Sequence, residues 1–187
     1  MEKIIQERIA EHIALAQLVS KSQLIGQLEQ VATVVKAALA QGHKVMFCGN
    51  GGSAADSQHL AAEFVGRFQK ERRGLPALAL TVDTSILTAV GNDYGYDKVF
   101  VRQVEALGQA GDVLIGISTS GNSGNVVAAV ELAKEMGIYC VGMTAAGGGK
   151  LAQLCDQCLA VPDKVTARAQ EMHILMGHIL CELVDGE

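Results

Sequence analysis

The sequence predicts a three-layer αβα fold, in which one five-stranded parallel sheet of the flavodoxin-like, doubly wound type lies between two layers of helices. Five short apolar runs alternate with helical stretches, and strands joined by helices pair in parallel through right-handed crossovers. Hydrophobic residues make up 49% of the chain and aromatic residues only 4%. The core is therefore expected to consist of Ala, Val, Ile and Leu, as in other buried parallel sheets.

Two helices are predicted at the start of the chain. Isoleucines recur at helical spacing over 5–13, and a second apolar pattern runs over 24–39 until Gly42 ends it. These helices form an N-terminal segment, 1–41, that we expect to pack on the remainder. At 187 residues the chain has the usual size of one domain, about 100 to 200 residues, so we expect a single domain over 1–187.

The predicted strands follow in the order KVMFCG, ALALT, DVLIGIS, YCVGMT and QCLAV. Between them, helices are predicted after Ser53, over 85–90 and along NVVAAVELAKEMG, and a last helix fills 166–184. A Gly-rich loop and a short helix separate the fourth strand from the fifth. In such sheets ligands bind outside the carboxyl ends of the strands, where loops lead into helices.

Charge and composition exclude several classes of protein. The net charge of −5 and the absence of a long run of like charge disfavour a nucleic-acid footprint or a polybasic membrane patch. No apolar run reaches the roughly 18 residues needed to cross a bilayer, and the N-terminal EKIIQERIAEH is charged rather than signal-like. Five cysteines, an odd number, indicate reduced thiols. We therefore expect a cytoplasmic protein without a membrane or nucleic-acid partner.

The first candidate ligand loop is CGNGGS, residues 48–53, between a predicted strand and a predicted helix. Glycines let backbone amides approach a ligand closely, and the N-terminus of the following helix favours negative charge. Many α/β proteins need such a turn only to reverse the chain. No Gly-Lys-Ser/Thr follows, so the segment is not a Walker loop.

A stronger candidate is STSGNS, residues 118–123, which directly follows an apolar strand and directly precedes a helix. Four hydroxyls and several free amides in six residues can surround the oxygens of one phosphate without a lysine. Helix capping alone would need only one such residue. The excess of hydroxyls predicts a phosphate-binding loop.

Titratable side chains lie on two of the predicted helices. His59 and Glu63 are four residues apart and so share one face of the helix that follows the first loop. Gln170 and His178 lie on the last helix, within an apolar stretch. An exposed His/Glu pair is most often a surface contact, and a lone His among apolar residues is usually a core histidine. The position of His59 and Glu63, one to three turns after the first ligand loop, makes that pair a candidate for chemistry.

Four segments resemble those of a known family. NGGSAADSQHLAAEFVGR, GNDYG, GISTSGNSGNVVAAV and RAQEMHILMGHIL are similar to the signature segments of bacterial phosphoheptose isomerases, within the sugar isomerase (SIS) domain superfamily. The resemblance covers nearly the whole chain. The loop STSGNS, residues 118–123, which we call the serine loop, is shared by many SIS proteins. The His59/Glu63 and Gln170/His178 pairs are specific to the isomerase.

The resemblance implies conversion of D-sedoheptulose 7-phosphate into D-glycero-D-manno-heptose 7-phosphate, the first step toward the heptoses of lipopolysaccharide. It also implies a homotetramer with zinc at the active site, Glu63 as general base and His178 as general acid. The implied metal ligands are His59, Glu63, Gln170 and His178. The implied substrate contacts are Asn50, Gly51, Gly52, Ser53, Glu63, Arg67, Asn92, Asp93, Ser118, Thr119, Ser120, Ser123 and Gln170.

The chemistry of the implied reaction agrees with these residue types. Moving a carbonyl from C2 to C1 requires taking a proton from the neighbouring carbon, passing through an enediol and returning a proton on the other side. One carboxylate and one imidazole can serve as base and acid. A zinc ion can polarise the carbonyl and stabilise the enediolate.

Two alternatives come from the same superfamily. A non-catalytic SIS protein, the DnaA-associating replication initiation factor, resembles this chain along most of its length but does not keep the acid and the base. Glu63 and His178 are both present here, which favours the enzyme. Etherases and aminosugar isomerases carry two SIS repeats or an extra domain, for which this chain has no room.

The spacing on the last helix suggests an active site shared between chains. Gln170 and His178 are eight residues apart, which on one helix means about 12 Å of rise and roughly 80° of rotation. Two side chains so far apart could reach one small site more easily if a partner chain supplied one of them. We therefore expect His59 and Glu63 from one subunit to meet His178 from a neighbour.

Overall fold

The computed structural model describes residues 1–186, which form a five-stranded sheet flanked by helices. The helices are α1 (Glu2–Val19), α2 (Leu24–Ala40), α3 (Gly52–Val65), α4 (Thr84–Tyr94), α5 (Val101–Leu107), α6 (Gly124–Glu135), α7 (Leu151–Leu154) and α8 (Thr166–Asp185), with a 3-10 turn at Tyr96–Lys98. The strands are β1 (Val45–Gly49), β2 (Ala77–Ala79), β3 (Val113–Ile117), β4 (Tyr139–Thr144) and β5 (Gln157–Ala160).

All strand pairs are parallel, and the strand order is β2-β1-β3-β4-β5. This is the flavodoxin-like order, so the predicted fold class is confirmed. β2 is added on one side of β1 and β3 on the other, so the strand order reverses at this point, and β1 and β3 pair in parallel with Gly49 opposite Ile117. The loops that leave their carboxyl ends therefore lie side by side.

The strands are apolar throughout because both faces of the sheet are covered. In β1, Val45 and Phe47 enter a core with α1, α2, α3 and α8, and the alternate residues Met46 and Cys48 enter a second core on the opposite face. The second core is closed by α4 to α7. Period-two side-chain alternation with helices on both faces explains why these strands read as continuous hydrophobic runs.

The structure adds elements that the sequence pattern did not predict. Helix α5 and the 3-10 turn before it lie in a stretch without predicted secondary structure, and α4 continues to Tyr94, beyond the predicted end at 90. The second strand is shorter than its apolar run, with only Ala77–Ala79 in the sheet. Within residues 1–186 no helix combines the length and apolar character needed to cross a membrane.

Candidate active site

Close packing joins the β1–α3 turn to β3. A Cβ added at Gly49 would lie 2.8 Å from the Cβ of Ser53 and 2.9 Å from the carbonyl oxygen of Ile117, so only glycine fits there. Gly51, with φ of +56°, has a left-handed conformation that other residues rarely adopt. Ser53 is buried in the first turn of α3, whereas Gly51 and Gly52 are exposed. Gly51 and Gly52 thus leave the backbone at the start of α3 exposed, while the amides of Ser53 and Ala54 already donate to the carbonyl oxygens of Asn50 and Gly51.

The hydroxyls of the serine loop converge at the N-terminus of α6. The Oγ of Ser118 lies 2.9 Å from the Oγ of Ser123 and 3.4 Å from that of Ser120, and the Ser120 Oγ accepts a hydrogen bond from the amide of Asn122. Ser123 is the N-cap residue of α6, yet its side chain makes no capping bond. Capping therefore does not account for Ser123, and the cluster has the donors and the helix terminus that an anion site requires.

A glycine-rich loop after β4 supports the serine loop from behind. The amide of Ala145 donates to Thr119, and the amide of Leu151 donates to Gly121. A Cβ at Gly121 would lie only 2.0 Å from the carbonyl oxygen of Gly148. Backbone packing this close fixes the conformation of the serine loop, a role that the sequence pattern did not reveal.

Asn50 and Asn125 join the two ligand loops through a reciprocal amide pair. The Nδ2 of Asn50 donates to the Oδ1 of Asn125 over 2.8 Å, and the Nδ2 of Asn125 donates to the Oδ1 of Asn50 over 2.9 Å. The hydroxyl of Tyr96 donates to the same Asn50 oxygen over 3.3 Å. Asn125 is buried and was not among the predicted site residues, because nothing in the local sequence indicates its partner 75 residues away.

Helices α3 and α8 run side by side in the same direction. The Nε2 of Gln170 lies 2.6 Å from the position of a Cβ at Gly52, and Gly177 packs against Leu60 closely enough that a Cβ would lie 2.6 Å from its side chain. Further along, His178 contacts His59. Gln170 therefore lies beside the first turn of α3, and His178 lies about two turns further along it.

The predicted acid, the predicted base and His59 form one cluster. The Nε2 atoms of His59 and His178 are 2.8 Å apart, and the His59 Nε2 is 3.5 Å from an oxygen of Glu63. The ring of Phe68 stacks on that of His178, with centroids 5.6 Å apart and an interplanar angle of 22°. The side chain of Glu63 is 23% exposed and that of His59 48%. The cluster is thus open enough to reach a ligand.

Asp56 lies one turn before His59 and was not predicted. Its Oδ2 atom is buried and has no hydrogen-bond partner within residues 1–186. Burial raises the pKa of this carboxyl, and the nearby imidazoles of His59 and His178 partly oppose that rise. The i, i+3 spacing to His59 could have identified Asp56 as a member of the same helix face.

His173, on the same helix as His178, is a core residue. It is fully buried, and its Nε2 lies 3.0 Å from the carbonyl oxygen of Thr144. Its Nδ1 is buried and finds no partner in the described residues 1–186. Burial lowers the pKa of this imidazole, and the bond to Thr144 only partly counteracts the effect. His173 is therefore held neutral, with its proton on Nε2 so that it can donate to Thr144.

Three predicted substrate contacts lie outside the two ligand loops, residues 48–53 and 118–123. Asn92 and Asp93 are exposed at the end of α4, where the side-chain Nδ2 of Asn92 donates to the carboxylate of Asp93 over 2.8 Å. Arg67 is exposed beyond α3, and its Nε lies 3.4 Å from Glu71. Tyr96, just after α4, links that part of the chain to Asn50.

One expectation about the site is wrong. His178 does not need a neighbouring subunit to meet His59 and Glu63, because the three side chains form their cluster within a single chain. The expectation considered the distance along α8 alone. Because α3 runs parallel beside α8, residues eight positions apart on α8 face two different levels of α3, and neither has to bend toward the other.

The donor types of this cluster suit a zinc ion, although the side chains are not arranged around one. Imidazole nitrogen and carboxylate oxygen are both common zinc ligands. Among residues 1–186, no group of three or more His, Cys, Asp or Glu side chains stands in an arrangement that could hold a metal ion. The 2.8 Å between the nitrogens of His59 and His178 is a hydrogen-bond distance. The cluster therefore has donor types that suit zinc, but in the described residues it does not have the arrangement of a zinc site.

Comparisons with known proteins agree with the fold. The SIS domain family model matches residues 10–145. A phosphoheptose isomerase from Akkermansia muciniphila is 58% identical over 166 residues, which cover 89% of this chain and 88% of the relative. Another from Aliarcobacter butzleri is 53% identical over 184 residues, covering 98% of this chain and 96% of the relative.

A solved structure gives the same result. The phosphoheptose isomerase from Neisseria gonorrhoeae superposes on this chain with a TM-score of 0.94 at 46% identity, covering 100% of this chain and 99% of that one. These matches favour the isomerase and give no support to the replication factor. This chain therefore belongs to the phosphoheptose isomerases, enzymes of the SIS domain family.

Proposed function

We propose that this isomerase converts D-sedoheptulose 7-phosphate into D-glycero-D-manno-heptose 7-phosphate and so supplies heptose for lipopolysaccharide. The observation that carries the proposal is the presence, in one chain, of both a hydroxyl-lined helix N-terminus and a Glu63/His178 cluster. The first suits a phosphate group, and the second suits proton transfer at a sugar carbon. The identity of about half or more of all residues to named phosphoheptose isomerases supports the substrate.

In the proposed mechanism Glu63 removes a proton from C1 of the ketose, and His178 donates a proton to the C2 carbonyl oxygen. The product of this step is an enediol. Return of a proton to C2 and loss of the proton from the C1 oxygen then give the aldose. Both groups must stand within hydrogen-bond reach of the reacting atoms for these transfers.

The phosphate contacts are proposed to come from the serine loop. Ser118, Ser120 and Ser123 offer converging hydroxyls, and the α6 N-terminus contributes amides and a partial positive charge. Asn50, oriented by Asn125, would contact the sugar portion nearby. These interactions are remote from C1 and C2, so they bind substrate and transition state alike.

Zinc is proposed as the cofactor, with His59, Glu63 and His178 as candidate ligands; Gln170, the fourth ligand that the resemblance implies, lies beside Gly52, about two helical turns from His59. When bound, it would supply Lewis-acid polarisation of the substrate carbonyl. The test is the zinc content of the purified protein, measured by elemental mass spectrometry in the wild type and in His59→Ala. Zinc near one equivalent in the wild type and clearly less in the variant supports the site. Equal content in both contradicts it.

The enzyme is proposed to be a homo-oligomer, a tetramer, with shared active sites. Exposed isoleucines on α1 support association, because Ile4, Ile5, Ile9 and Ile13 are each more than half exposed. Glu63 lies eleven residues beyond Gly52, about 16 Å along α3 and away from the serine loop. We propose that the serine loop of one chain faces the Glu63/His178 cluster of a neighbour.

Two further expectations stay as proposals. The chain is proposed to act as a single SIS domain over 1–187 with segment 1–41 packed on it, supported by Val31 and Val35 of α2, which are fully buried in the first core. The proposed compartment is the cytoplasm, supported by five cysteines that are all free thiols.

The reaction is tested by incubating the purified enzyme with sedoheptulose 7-phosphate. Because ketose and aldose have the same mass, the aldose is trapped with a heptose-phosphate kinase and the bisphosphate is detected by mass spectrometry. Bisphosphate that depends on both enzymes supports the proposal. Its absence with folded enzyme, while the kinase phosphorylates authentic aldose, overturns it.

A further inference from the structure

Asp185, in the last turn of α8, is a buried carboxylate that holds the loop after α3. Its side chain is only 2% exposed. One oxygen accepts from the amides of Gln69 and Lys70 over 3.0 and 3.3 Å, and the other accepts from the Nε of Arg72 over 2.6 Å. Burial alone would raise the pKa of Asp185, but these donors outweigh it and lower the pKa below its ordinary value. The loop is thus attached to α8 by a charged carboxylate.

The guanidinium of Arg72 also closes the C-terminal end of α3. It donates to the carbonyl oxygens of Phe64 at 3.0 Å, Glu63 at 3.2 Å and Gly66 at 3.3 Å. The last carbonyls of a helix have no partners within the helix, and a positive charge there interacts favourably with the helix dipole. A residue that only capped α3 would need only the bonds to these carbonyl oxygens, and a residue that only tethered the loop would need only the bond to Asp185. Arg72 makes both the carbonyl bonds and the bond to Asp185.

The segments that Arg72 and Asp185 hold carry the proposed base, Glu63, and contact the proposed acid, His178. Glu63 is on the last turn of α3 that Arg72 caps. The loop tethered by Asp185 carries Phe68, whose ring stacks on His178. His178 itself is on α8, two turns before Asp185. Arg72 and Asp185 therefore connect the base-bearing end of α3, the Phe68 loop and the acid-bearing helix.

We propose that Arg72 and Asp185 form a clamp that positions Glu63 relative to His178. The clamp acts through the α3 backbone and through Phe68, so both are positioning residues and neither touches substrate. The inference rests on the proposed roles of Glu63 and His178. Acid–base catalysis depends on placement, and a displacement of about 1 Å can lower the rate by about 100-fold.

The kinetic test compares Arg72→Met and Asp185→Asn with a matched control, Arg73→Met. Arg73 is the next residue and its side chain is exposed. For both clamp variants we expect kcat to fall by at least about tenfold while KM stays within about threefold, because the serine loop is untouched. The control is expected to match the wild type. The double variant is expected to be no worse than Arg72→Met alone, since the two residues act as one unit.

A second readout does not depend on the substrate. Because the Phe68 ring stacks on His178, it is expected to shift the proton resonances of that imidazole, and the bonds from the Gln69 and Lys70 amides to Asp185 are expected to slow their hydrogen exchange. In Arg72→Met and Asp185→Asn we expect the His178 shift to diminish and hydrogen exchange of residues 66–72 to accelerate. If His178 resonances and loop exchange are unchanged in the folded variants, the clamp is wrong, whatever the substrate.

The outcomes separate the clamp from the proposed reaction. An inactive wild type overturns the reaction, and the resonance and exchange measurements then decide on the clamp. If the wild type is active and Glu63→Gln is impaired, but both clamp variants keep full kcat, the clamp alone fails. Should Arg72→Met not fold, Asp185→Asn, which preserves the side-chain shape, decides the question. A lower melting temperature with unchanged kcat would show a merely structural role and would also overturn the clamp.

Discussion

His59 and His178 face each other through their Nε2 atoms, 2.8 Å apart within one chain, although 119 residues separate them in sequence. The contact exists because α3 and α8 pack side by side and in parallel. Glu63, one turn beyond His59, completes the cluster. The acid and the base of the proposed mechanism therefore come from the same subunit, which makes a specific prediction about mixed oligomers.

Co-expressed Glu63→Gln and His178→Asn chains are expected to remain as inactive as either variant alone. Every cluster in such a mixture lacks one of the two groups.

By contrast, a mixture of Glu63→Gln with a chain in which Ser118, Ser120 and Ser123 are all alanine is expected to regain activity at low substrate concentration. In that mixture an intact serine loop can face an intact cluster on another chain. Activity is measured on co-purified, differently tagged oligomers. Recovery in the first mixture, or none in the second, would contradict the proposed division of the site.

Removing the acid or the base individually is expected to lower kcat by at least about 100-fold in Glu63→Gln and His178→Asn, the usual scale for a positioned proton-transfer group. Glu63→Gln retains side-chain size, and both substitutions retain a polar side chain that cannot titrate. Glu182→Gln, at an exposed glutamate on α8, serves as control and is expected to retain wild-type kinetics. Full activity in a folded Glu63 or His178 variant would refute the assigned role.

Loss of one hydroxyl from the serine loop is expected to act on binding. Ser120→Ala and Ser123→Ala are each expected to raise KM several-fold with little change in kcat, because the phosphate contacts are made equally in the ground state and in the transition state. Ser20→Ala, on an exposed serine at the end of α1, is the control. Unphosphorylated sedoheptulose is expected to bind poorly to the wild type. An effect confined to kcat would argue against a phosphate site.

Stability is expected to fall as the pH drops below about 6.5, the ordinary pKa of histidine, because of His173. Its folded-state pKa is depressed by burial, so the unfolded chain binds a proton that the folded chain does not. The stabilising contribution is therefore fully present above that pH and is lost as the pH falls toward the folded-state pKa. His173→Gln should flatten this dependence in urea unfolding between pH 8 and pH 5.5. An equally steep loss in the variant would assign the effect to other groups.

The thiols are expected to be unreactive in the native protein and fully reactive after unfolding. Burial raises the pKa of Cys48, Cys140 and Cys181 to about 12, and the thiolate is the reactive form. Titration with a disulfide reagent at pH 8 should therefore give five thiols in denaturant and far fewer without it. Only three in denaturant would indicate a disulfide, with Cys155 and Cys158 as the first candidates.

The sequence was sufficient for the sheet and for most helices because the apolar runs and glycine stops are local signals. It was insufficient for α5, whose seven residues are too few for a clear helical period. The serine loop could be predicted because its hydroxyls are adjacent in the chain. The Arg72–Asp185 bond spans 113 residues and gives no local signal, so only the packing of α8 beside α3 reveals it.

The reciprocal pairing of Asn50 and Asn125 imposes a joint constraint on two positions that are 75 residues apart. Each side chain must present one donor and one acceptor to the other. Aspartate at either position would bring oxygen against oxygen, and an apolar residue would leave the remaining amide without its bonds. A substitution at one position therefore preserves the hydrogen-bonded pair only if a complementary substitution occurs at the other. The two positions are expected to change together during evolution.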